Sequence, residues 1–166
     1  NLGVSIITEM SMMDHQFHAL NISQGFPEFD TPECLKSAIK QAIADGKNQY
    51  CPSAGLPELL DQIGQLVQRC YQKEVLSEQK IDSVNNITVT SGATEALMVA
   101  IQTLVRAGDE VIVFDPAYDA YQPGVELAGG RCRHIAMKAP DYAIDWSIVK
   151  QAINNKTRAI IINSRH

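Results

Sequence analysis

The sequence predicts an α/β fold in which a mostly parallel sheet lies between two layers of helices. Unbroken apolar runs occur at residues 111–114 and 159–162, and strands that are covered on both faces have this composition. From residue 87 onward, strand-like segments alternate with helical segments. This alternation is typical of parallel strands joined by right-handed helical crossovers. We therefore expect a three-layer architecture.

The first part of the chain is predicted to be helical. In a helix over residues 6–17, apolar side chains recur at helical spacing, at Ile6, Met10, Met13 and Phe17. A loop over residues 21–30 follows, and a second helix is predicted to begin at Pro32, with Thr31 as its N-cap, and to end at Gly46. A third helix begins near Pro57 and carries a stripe of Leu56, Leu59, Leu60, Ile63 and Val67.

The second part is predicted to contain four strands and three helices. The strands lie at residues 87–90, 110–114, 132–137 and 158–163. The helices lie between them, at residues 93–105, 118–127 and 145–153. We place the domain boundary at residue 45, so that residues 1–45 form an N-terminal arm and small-domain segment and residues 46–166 the first part of a large domain.

Composition and charge exclude several classes of protein. The net charge of −5 across 166 residues, with no basic stripe, argues against binding to nucleic acid. Neither a long apolar run nor an N-terminal signal peptide is present, so we expect no membrane segment and a cytoplasmic location. The four cysteines lack C-x-x-C spacing, and His15 and His18 have no clustered carboxylate or thiol. We therefore expect reduced thiols and no metal site.

The most informative segment runs through Ser91, Gly92, Ala93 and Thr94. It joins a predicted strand to a predicted helix, and the first turn of a helix has amide groups without intrahelical partners and a partial positive charge. Gly92 allows an anion to approach the backbone, and the hydroxyls of Ser91 and Thr94 add donors. This combination suits a phosphate group.

Four further segments accompany this turn in order: Ser-Gln-Gly-Phe-Pro at residues 23–27, Asn-Gln-Tyr at 48–50, Asp-Pro-Ala-Tyr-Asp at 115–119, and Asn-Ser at 163–164. Together the five segments resemble the class I/II aminotransferases, which are pyridoxal-phosphate enzymes of the aspartate aminotransferase fold. The resemblance is strongest to the methionine and kynurenine (glutamine-type) branch. It covers nearly the whole chain and implies the large domain of pyridoxal-phosphate fold type I, here incomplete.

The resemblance implies a role for particular residues. Pyridoxal 5′-phosphate would be held by the turn at Ser91, Gly92, Ala93 and Thr94, by the ring of Tyr118 stacked on the pyridine, by Asn163, and by Tyr50 from the neighbouring subunit of a homodimer. The substrate carboxylate would meet the backbone of Gly25, and Phe26 would border the substrate side chain. The implied reaction moves an amino group between an amino acid, methionine-like or aromatic, and a 2-oxo acid.

The chain also departs from the family pattern. Arg165 stands where the asparagine motif should continue, and the chain ends at His166, directly after a predicted buried strand. We expect this chain to be the N-terminal part of a larger protein. The family's Schiff-base lysine, pyridine-nitrogen aspartate and carboxylate-binding arginine have no counterpart in it. No residue of this chain is therefore assigned as catalytic, and we expect the 166-residue chain alone to be inactive.

Three alternatives remain open from the sequence. A C–S β-lyase shares the fold and the phosphate site and differs in the fate of the carbanion. A non-catalytic aminotransferase-like sensing domain would follow a DNA-binding winged helix, whereas this chain begins with an arm and a short helix. A nucleotide-binding domain would have G-x-G-x-x-G, and the segment from Ser91 lacks the second glycine.

Overall fold

The structure is a computed structural model that describes residues 3–25, 27–71 and 80–164. The helices within these ranges are α1 (Ile6–Phe17), α2 (Glu33–Ala44), α3 (Pro57–Tyr71), α4 (Ser83–Asn86), α5 (Ala93–Leu104), α6 (Tyr121–Leu127) and α7 (Trp146–Ala152). The strands are β1 (Glu110–Asp115), β2 (Arg131–Ala136) and β3 (Thr157–Ile161). Most bounds agree with the predicted ones to within a few residues.

The chain divides into two compact units. The first combines Asn1–Gln24 with Ser91–His166, and the second is Gly25–Thr90. The first unit contains the sheet, and the second contains α2, α3 and α4. The boundary predicted at residue 45 concerns the domains of the whole protein and stays a prediction.

The sheet of the first unit is parallel, with strand order β2-β1-β3. The central strand β1 is buried from Val111 to Phe114, as its unbroken apolar run predicts. Val111 and Val113 face one side and pack with Ile101, Val105 and Val125 of the α5–α6 layer. Ile112 and Phe114 face the other side and pack with Ile135 and Val149.

These two clusters confirm the predicted three-layer α/β arrangement. The helices α5 and α6 cover one face of the sheet, and α7 covers the other. Each fully buried Val or Ile side chain stabilises the fold by about 1.5–3 kcal/mol relative to an exposed one. Because β1 contributes to both clusters, it is the element that joins the three layers.

The predicted strand at residues 87–90 is not formed among the described residues. Ile87 is extended, with φ −128° and ψ 133°, and the amide of Val89 donates to the carbonyl of Ala54 at 2.8 Å. A strand requires a ladder of successive bonds to a neighbour, and this segment has no partner strand in the described part of the chain. The sheet in the described part of the chain has three strands, whereas four were predicted.

Two predicted helix starts are also wrong. The N-cap of α2 is Pro32 and not Thr31, whose amide instead donates to the Asp30 carboxylate at 2.7 Å. The helix α6 begins at Tyr121 rather than 118, since a turn closes from the amide of Tyr121 to the carbonyl of Tyr118 at 3.1 Å. Local hydrogen bonds compete with the first helical turn at both positions.

A helix that was not predicted, α4, is explained by its cap. The carboxylate of Asp82 accepts hydrogen bonds from the amides of Val84 and Asn85, at 3.0 and 3.3 Å. These bonds satisfy amides that a four-residue helix leaves without intrahelical partners.

Gly64 of α3 is buried, and a Cβ there would lie 3.6 Å from the Ile87 side chain. This distance is an ordinary van der Waals contact, so the packing around this position does not require a glycine.

The core of the first unit leaves no room for a side chain at Gly130. A Cβ there would lie 2.6 Å from Cγ1 of Val105, 3.1 Å from Cγ1 of Val125 and 3.2 Å from the carbonyl oxygen of Asp109. We expect Gly130→Ala to lower the free energy of unfolding by about 1–3 kcal/mol, because a buried valine must move. Urea denaturation measures this change. Gly3→Ala is the control, since nothing lies within 4 Å of a Cβ at Gly3, and equal stability of the two variants would contradict the packing.

Candidate functional site

The turn before α5 has the backbone that the phosphate prediction requires. Gly92 is the N-cap of α5, with φ 86° and ψ 172°, a region that is essentially restricted to glycine. As a glycine, the N-cap residue has no side chain that could occupy the amides of the first turn. Ala93 and Thr94 are exposed and form its first turn, where amides have no intrahelical acceptor. Nothing lies within 4 Å of a Cβ at Gly92, so a ligand can approach the backbone.

Glu95 occupies one of the amides of this turn, a contact that was not predicted from the sequence. Its carboxylate accepts a hydrogen bond from the amide of Ser91. The Ser91 amide is therefore engaged within the turn, and the amides of Ala93 and Thr94 are the donors best placed for an anion. The bond resembles a capping box, in which a glutamate at the third helical position reaches back over the helix start.

Tyr118 lies beyond the carboxyl end of β1, beside a cavity of about 490 Å³. Asp115, Asp119 and His134 also line this cavity. The ring of Tyr118 is 43% exposed and meets the ring of Tyr121 edge to face, with centroids 5.7 Å apart. Tyr118 is thus supported by protein while much of the ring remains accessible, as a stacking residue requires.

Asn163 lies beyond the end of β3, at the same edge of the sheet. It lines a small cavity of about 20 Å³ together with Phe114 and Tyr121. Tyr121 therefore contacts the ring of Tyr118 and also borders the cavity that contains Asn163. Ligands of open parallel sheets bind at this carboxyl edge, and the structure brings Tyr118 and Asn163 together there.

The remaining predicted site residues belong to the other unit or lie outside the described residues. Gly25 and Tyr50 belong to Gly25–Thr90, whereas Ser91, Gly92, Ala93 and Thr94 belong to the sheet-containing unit. Tyr50 is fully exposed, and a Cβ at Gly25 would have nothing within 4 Å. Phe26 lies outside the described residues. The roles of all these residues stay predictions.

A contact that no sequence motif indicated, the pair His134–Asp115, lies close to Tyr118. Nδ1 of His134 lies 3.0 Å from Oδ1 and 3.1 Å from Oδ2 of Asp115. In the parallel register, Val113 lies opposite His134 and Asp115 opposite Ala136. Alternation along each strand places both side chains on the same face of the sheet. The strand pattern could have revealed this contact had the register been known.

The same face of β2 carries Cys132, a half-buried thiol. Burial, together with the nearby carboxylates of Glu126 and Asp115, disfavours the thiolate and raises the pKa of Cys132 to about 11. The thiolate is the reactive form. Cys34, Cys51 and Cys70 are exposed.

We expect Cys132 to react with iodoacetamide far more slowly than the three exposed cysteines at pH 8. With a pKa of about 11 instead of the ordinary 9.0, its thiolate fraction is about 100-fold lower at this pH. Its rate should keep rising about tenfold per pH unit until the pH approaches that pKa. Mass spectrometry of timed reactions measures the rates. Equal labelling of all four cysteines at pH 8 would contradict the burial of this thiol beside two carboxylates.

One of the two histidines near the N-terminus, His18, has a structural role. His18 is the C-cap of α1 in the left-handed conformation, with φ 50°, and its amide donates to the carbonyl of Asp14.

Within the described ranges, no group of three or more His, Cys, Asp or Glu residues is arranged to hold a metal ion. None of the described helices has the length and apolar character needed to cross a membrane.

Comparison with known proteins identifies the family. Residues 18–166 match the family described as aminotransferase class I and II. The chain belongs to this family. Its members depend on pyridoxal 5′-phosphate. The family that the five sequence segments predicted is confirmed.

Individual relatives support the same assignment. Methionine aminotransferase of Escherichia coli strain K12 is 42% identical over 165 residues, which are 99% of this chain and 41% of the relative. A probable aspartate aminotransferase of Methanocaldococcus jannaschii is 38% identical over 145 residues, which are 87% of this chain and 36% of the relative. The chain thus spans about two fifths of the length of the first of these proteins.

A solved structure confirms the fold. The crystal structure of an Escherichia coli protein identified as a methionine aminotransferase superposes with a TM-score of 0.90 at 42% sequence identity. The superposition covers 100% of this chain and 42% of that protein. The arrangement of helices around a parallel sheet is therefore the arrangement found in the aminotransferases of fold type I.

Proposed function

We propose that the protein containing this chain is a pyridoxal-phosphate-dependent aminotransferase that moves an amino group between an amino acid and a 2-oxo acid. The proposal rests on the accessible backbone at the start of α5, in a chain that belongs to this family. A Cβ at Gly92 would have nothing within 4 Å, so a ligand can approach the backbone there, and Ala93 and Thr94 of the first turn are exposed. A helix start of this kind binds phosphate through its amides and dipole.

The residues of the sheet-containing unit fit the cofactor. The amides of Ala93 and Thr94, with the Thr94 hydroxyl, would bind the phosphate, and Gly92 would let it approach. The exposed part of the Tyr118 ring would stack on the pyridine, and Asn163 would contribute from the end of β3. Support comes from the accessible first turn of α5 and from the shared carboxyl edge of Tyr118 and Asn163.

The chemistry of the reaction assigns separate tasks to the cofactor and to this chain. Bound pyridoxal phosphate supplies an electron sink that lets a proton leave the carbon next to the amino group. The chain's own residues bind and orient. Thr94 would donate to the phosphate, the Tyr118 ring would limit tilting of the pyridine, and the backbone of Gly25 would meet the substrate carboxylate. No residue of this chain is assigned to move the proton.

The proposed substrate is an amino acid with a methionine-like or aromatic side chain. Support comes from the Escherichia coli relative, which is named a methionine aminotransferase, and from Phe26, which would border the substrate side chain. The Methanocaldococcus jannaschii relative is named for aspartate. Methionine, an aromatic amino acid and aspartate therefore form the substrate panel that tests specificity.

The proposed assembly is a cytoplasmic homodimer without nucleic acid or membrane partners. Tyr50 supports the dimer because its side chain is fully exposed and is thus available to the phosphate site of a neighbouring subunit. The net charge of −5 supports the absence of nucleic-acid binding.

The experiment uses the complete purified protein supplied with pyridoxal 5′-phosphate. We expect a visible absorption band from the bound cofactor and transfer of the amino group of methionine to a 2-oxo acid, detected as the new amino acid. If an S-alkylcysteine, whose sulfur is on the β carbon, releases pyruvate, ammonia and a thiol and no new amino acid forms, the protein is a β-lyase. Absence of both cofactor binding and turnover would overturn the proposal.

A further inference from the structure

The pair His134–Asp115 lies at the end of β1, and Tyr118 follows Asp115 by three residues. The imidazole is on β2 and the carboxylate is on the last residue of β1. Nδ1 of His134 lies 3.0 and 3.1 Å from the two carboxylate oxygens. An ionised carboxylate only accepts, so the Nδ1–H group is the donor. Both side chains are about 40% exposed, so the contact is accessible and is not required to fill the core.

Asp115, the residue directly before the turn, is bonded both to β2 and to the residue that follows β2. The carbonyl of Asp115 accepts the amide of Met137 at 2.9 Å, and its carboxylate accepts the imidazole of His134. Two residues further on, Ala117 and then Tyr118 line the same cavity as this pair. On the other side, the ring of Tyr118 rests against Tyr121. The imidazole thus holds the near end of the turn, and the Tyr121 ring supports its far end.

Other charged groups face the same cavity. Asp119 and Glu126 line it together with His134, and no lysine or arginine does so among the described residues. Among the described side chains that line the cavity, the imidazole is therefore the only one that has a cationic form and can donate to Asp115. The surrounding carboxylates are acceptors, so a donor at this position is favourable. A neutral apolar side chain at position 134 would leave Asp115 without this partner.

We propose that His134 is a positioning residue: its hydrogen bond to Asp115 holds the turn that orients the Tyr118 ring toward the cofactor. The inference rests on the proposed function, since it gives Tyr118 its stacking role. We assign no cofactor contact to His134 itself. It acts through Asp115, and its removal changes where Tyr118 lies rather than which group reacts.

Three variants of the complete protein test the inference. His134→Leu removes the donor. His134→Asn is the rescue variant, because its amide nitrogen lies near the position of Nδ1. Arg131→Ala is the matched control, since Arg131 is an exposed residue of the same strand that points to the opposite face. Each variant is labelled with fluorotyrosine and is studied by fluorine NMR without cofactor, with the Tyr118 signal assigned by Tyr118→Phe.

We expect His134→Leu to shift and broaden the Tyr118 resonance. It should also weaken binding of pyridoxal phosphate about two- to fivefold, the range of a partly exposed ion pair. His134→Asn should restore both quantities, and Arg131→Ala should change neither. An unchanged Tyr118 resonance in His134→Leu, or failure of His134→Asn to restore it, overturns the proposal.

The design separates this inference from the proposed function. If the parent protein binds no pyridoxal phosphate, the proposed function fails, while the Tyr118 resonance still decides whether His134 positions the ring. If His134→Leu does not fold, His134→Gln replaces it, because glutamine places its donor one bond further out. A shifted Tyr118 signal in His134→Gln and a native one in His134→Asn support the inference, and identical signals overturn it.

Discussion

Replacing Gly92 with alanine should lower the affinity of the complete protein for pyridoxal 5′-phosphate by about 10- to 150-fold. Gly92 has φ 86° and ψ 172°, and a Cβ makes this conformation strained by about 1–3 kcal/mol. The backbone would relax and turn the amides of Ala93 and Thr94 away from the phosphate. Losing one hydrogen bond to a charged group costs about 1.5–3 kcal/mol, which corresponds to the stated range. Spectroscopic titration of the cofactor-free protein measures the dissociation constant.

Gly108→Ala is the control that separates local strain from a lost binding site. Gly108 has φ 88° and lies in the same unit, and a Cβ there would have nothing within 4 Å. Both variants should lose stability to a similar extent in urea denaturation, because both introduce a Cβ at positive φ. Gly92→Ala alone should lose affinity. Equal affinities in the two variants would show that the start of α5 does not bind the phosphate.

Replacing Tyr118 with alanine should weaken binding of pyridoxal phosphate about tenfold in the complete protein. The ring is 43% exposed and is supported by Tyr121 at a centroid distance of 5.7 Å. An aromatic pair contributes about 0.5–1.5 kcal/mol beyond the area that it buries, and the loss of buried area adds to this. The dissociation constant and the circular dichroism of the bound cofactor measure the effect, since the second reports how the pyridine is held.

Tyr118→Phe is the matched variant for this prediction. It keeps the ring and the contact with Tyr121 and removes only the hydroxyl, so binding should stay within about twofold of the parent. Tyr142→Ala, at a 40% exposed tyrosine outside both cavities next to Tyr118 and Asn163, controls for the loss of an exposed ring. If Tyr118→Ala binds the cofactor as tightly as Tyr142→Ala does, the stacking role is wrong.

Much of the fold could be predicted because its signals are local. The apolar run of β1 indicates burial on both faces wherever the strand lies in the sheet, and the structure buries Val111 to Phe114. Helix ends were also predictable where one residue decides them, as at Gly46, which follows the C-cap of α2 with φ 76°. The segment at residues 87–90 shows where this approach fails. Its composition favours a strand, but a strand needs a partner, and the described chain offers it only the carbonyl of Ala54.

In the candidate site, too, features within one short segment could be predicted from the sequence, and contacts between segments could not. Gly92 and the first turn of α5 were predictable because turn, helix start and ligand access lie within four consecutive residues. The hydrogen bond from the Ser91 amide to the Glu95 carboxylate was not predicted. The partner of this glutamate can be named only when the residue at which the helix begins is known. The residues Tyr121 and Tyr118 are three apart in sequence, yet the edge-to-face geometry of their contact depends on the turn that precedes α6.

By itself the sequence determined the family and the α/β architecture of this protein, and it predicts the glycine turn before α5 as the phosphate site, because each depends on residue order along short segments. Only the tertiary structure decided that Asn163 shares an edge with Tyr118 through Tyr121 and that His134 bonds to Asp115. These contacts join strands that are distant in the chain. Their existence depends on strand order and register, which the parallel pairing of β1 with β2 and β3 specifies and which no local pattern encodes.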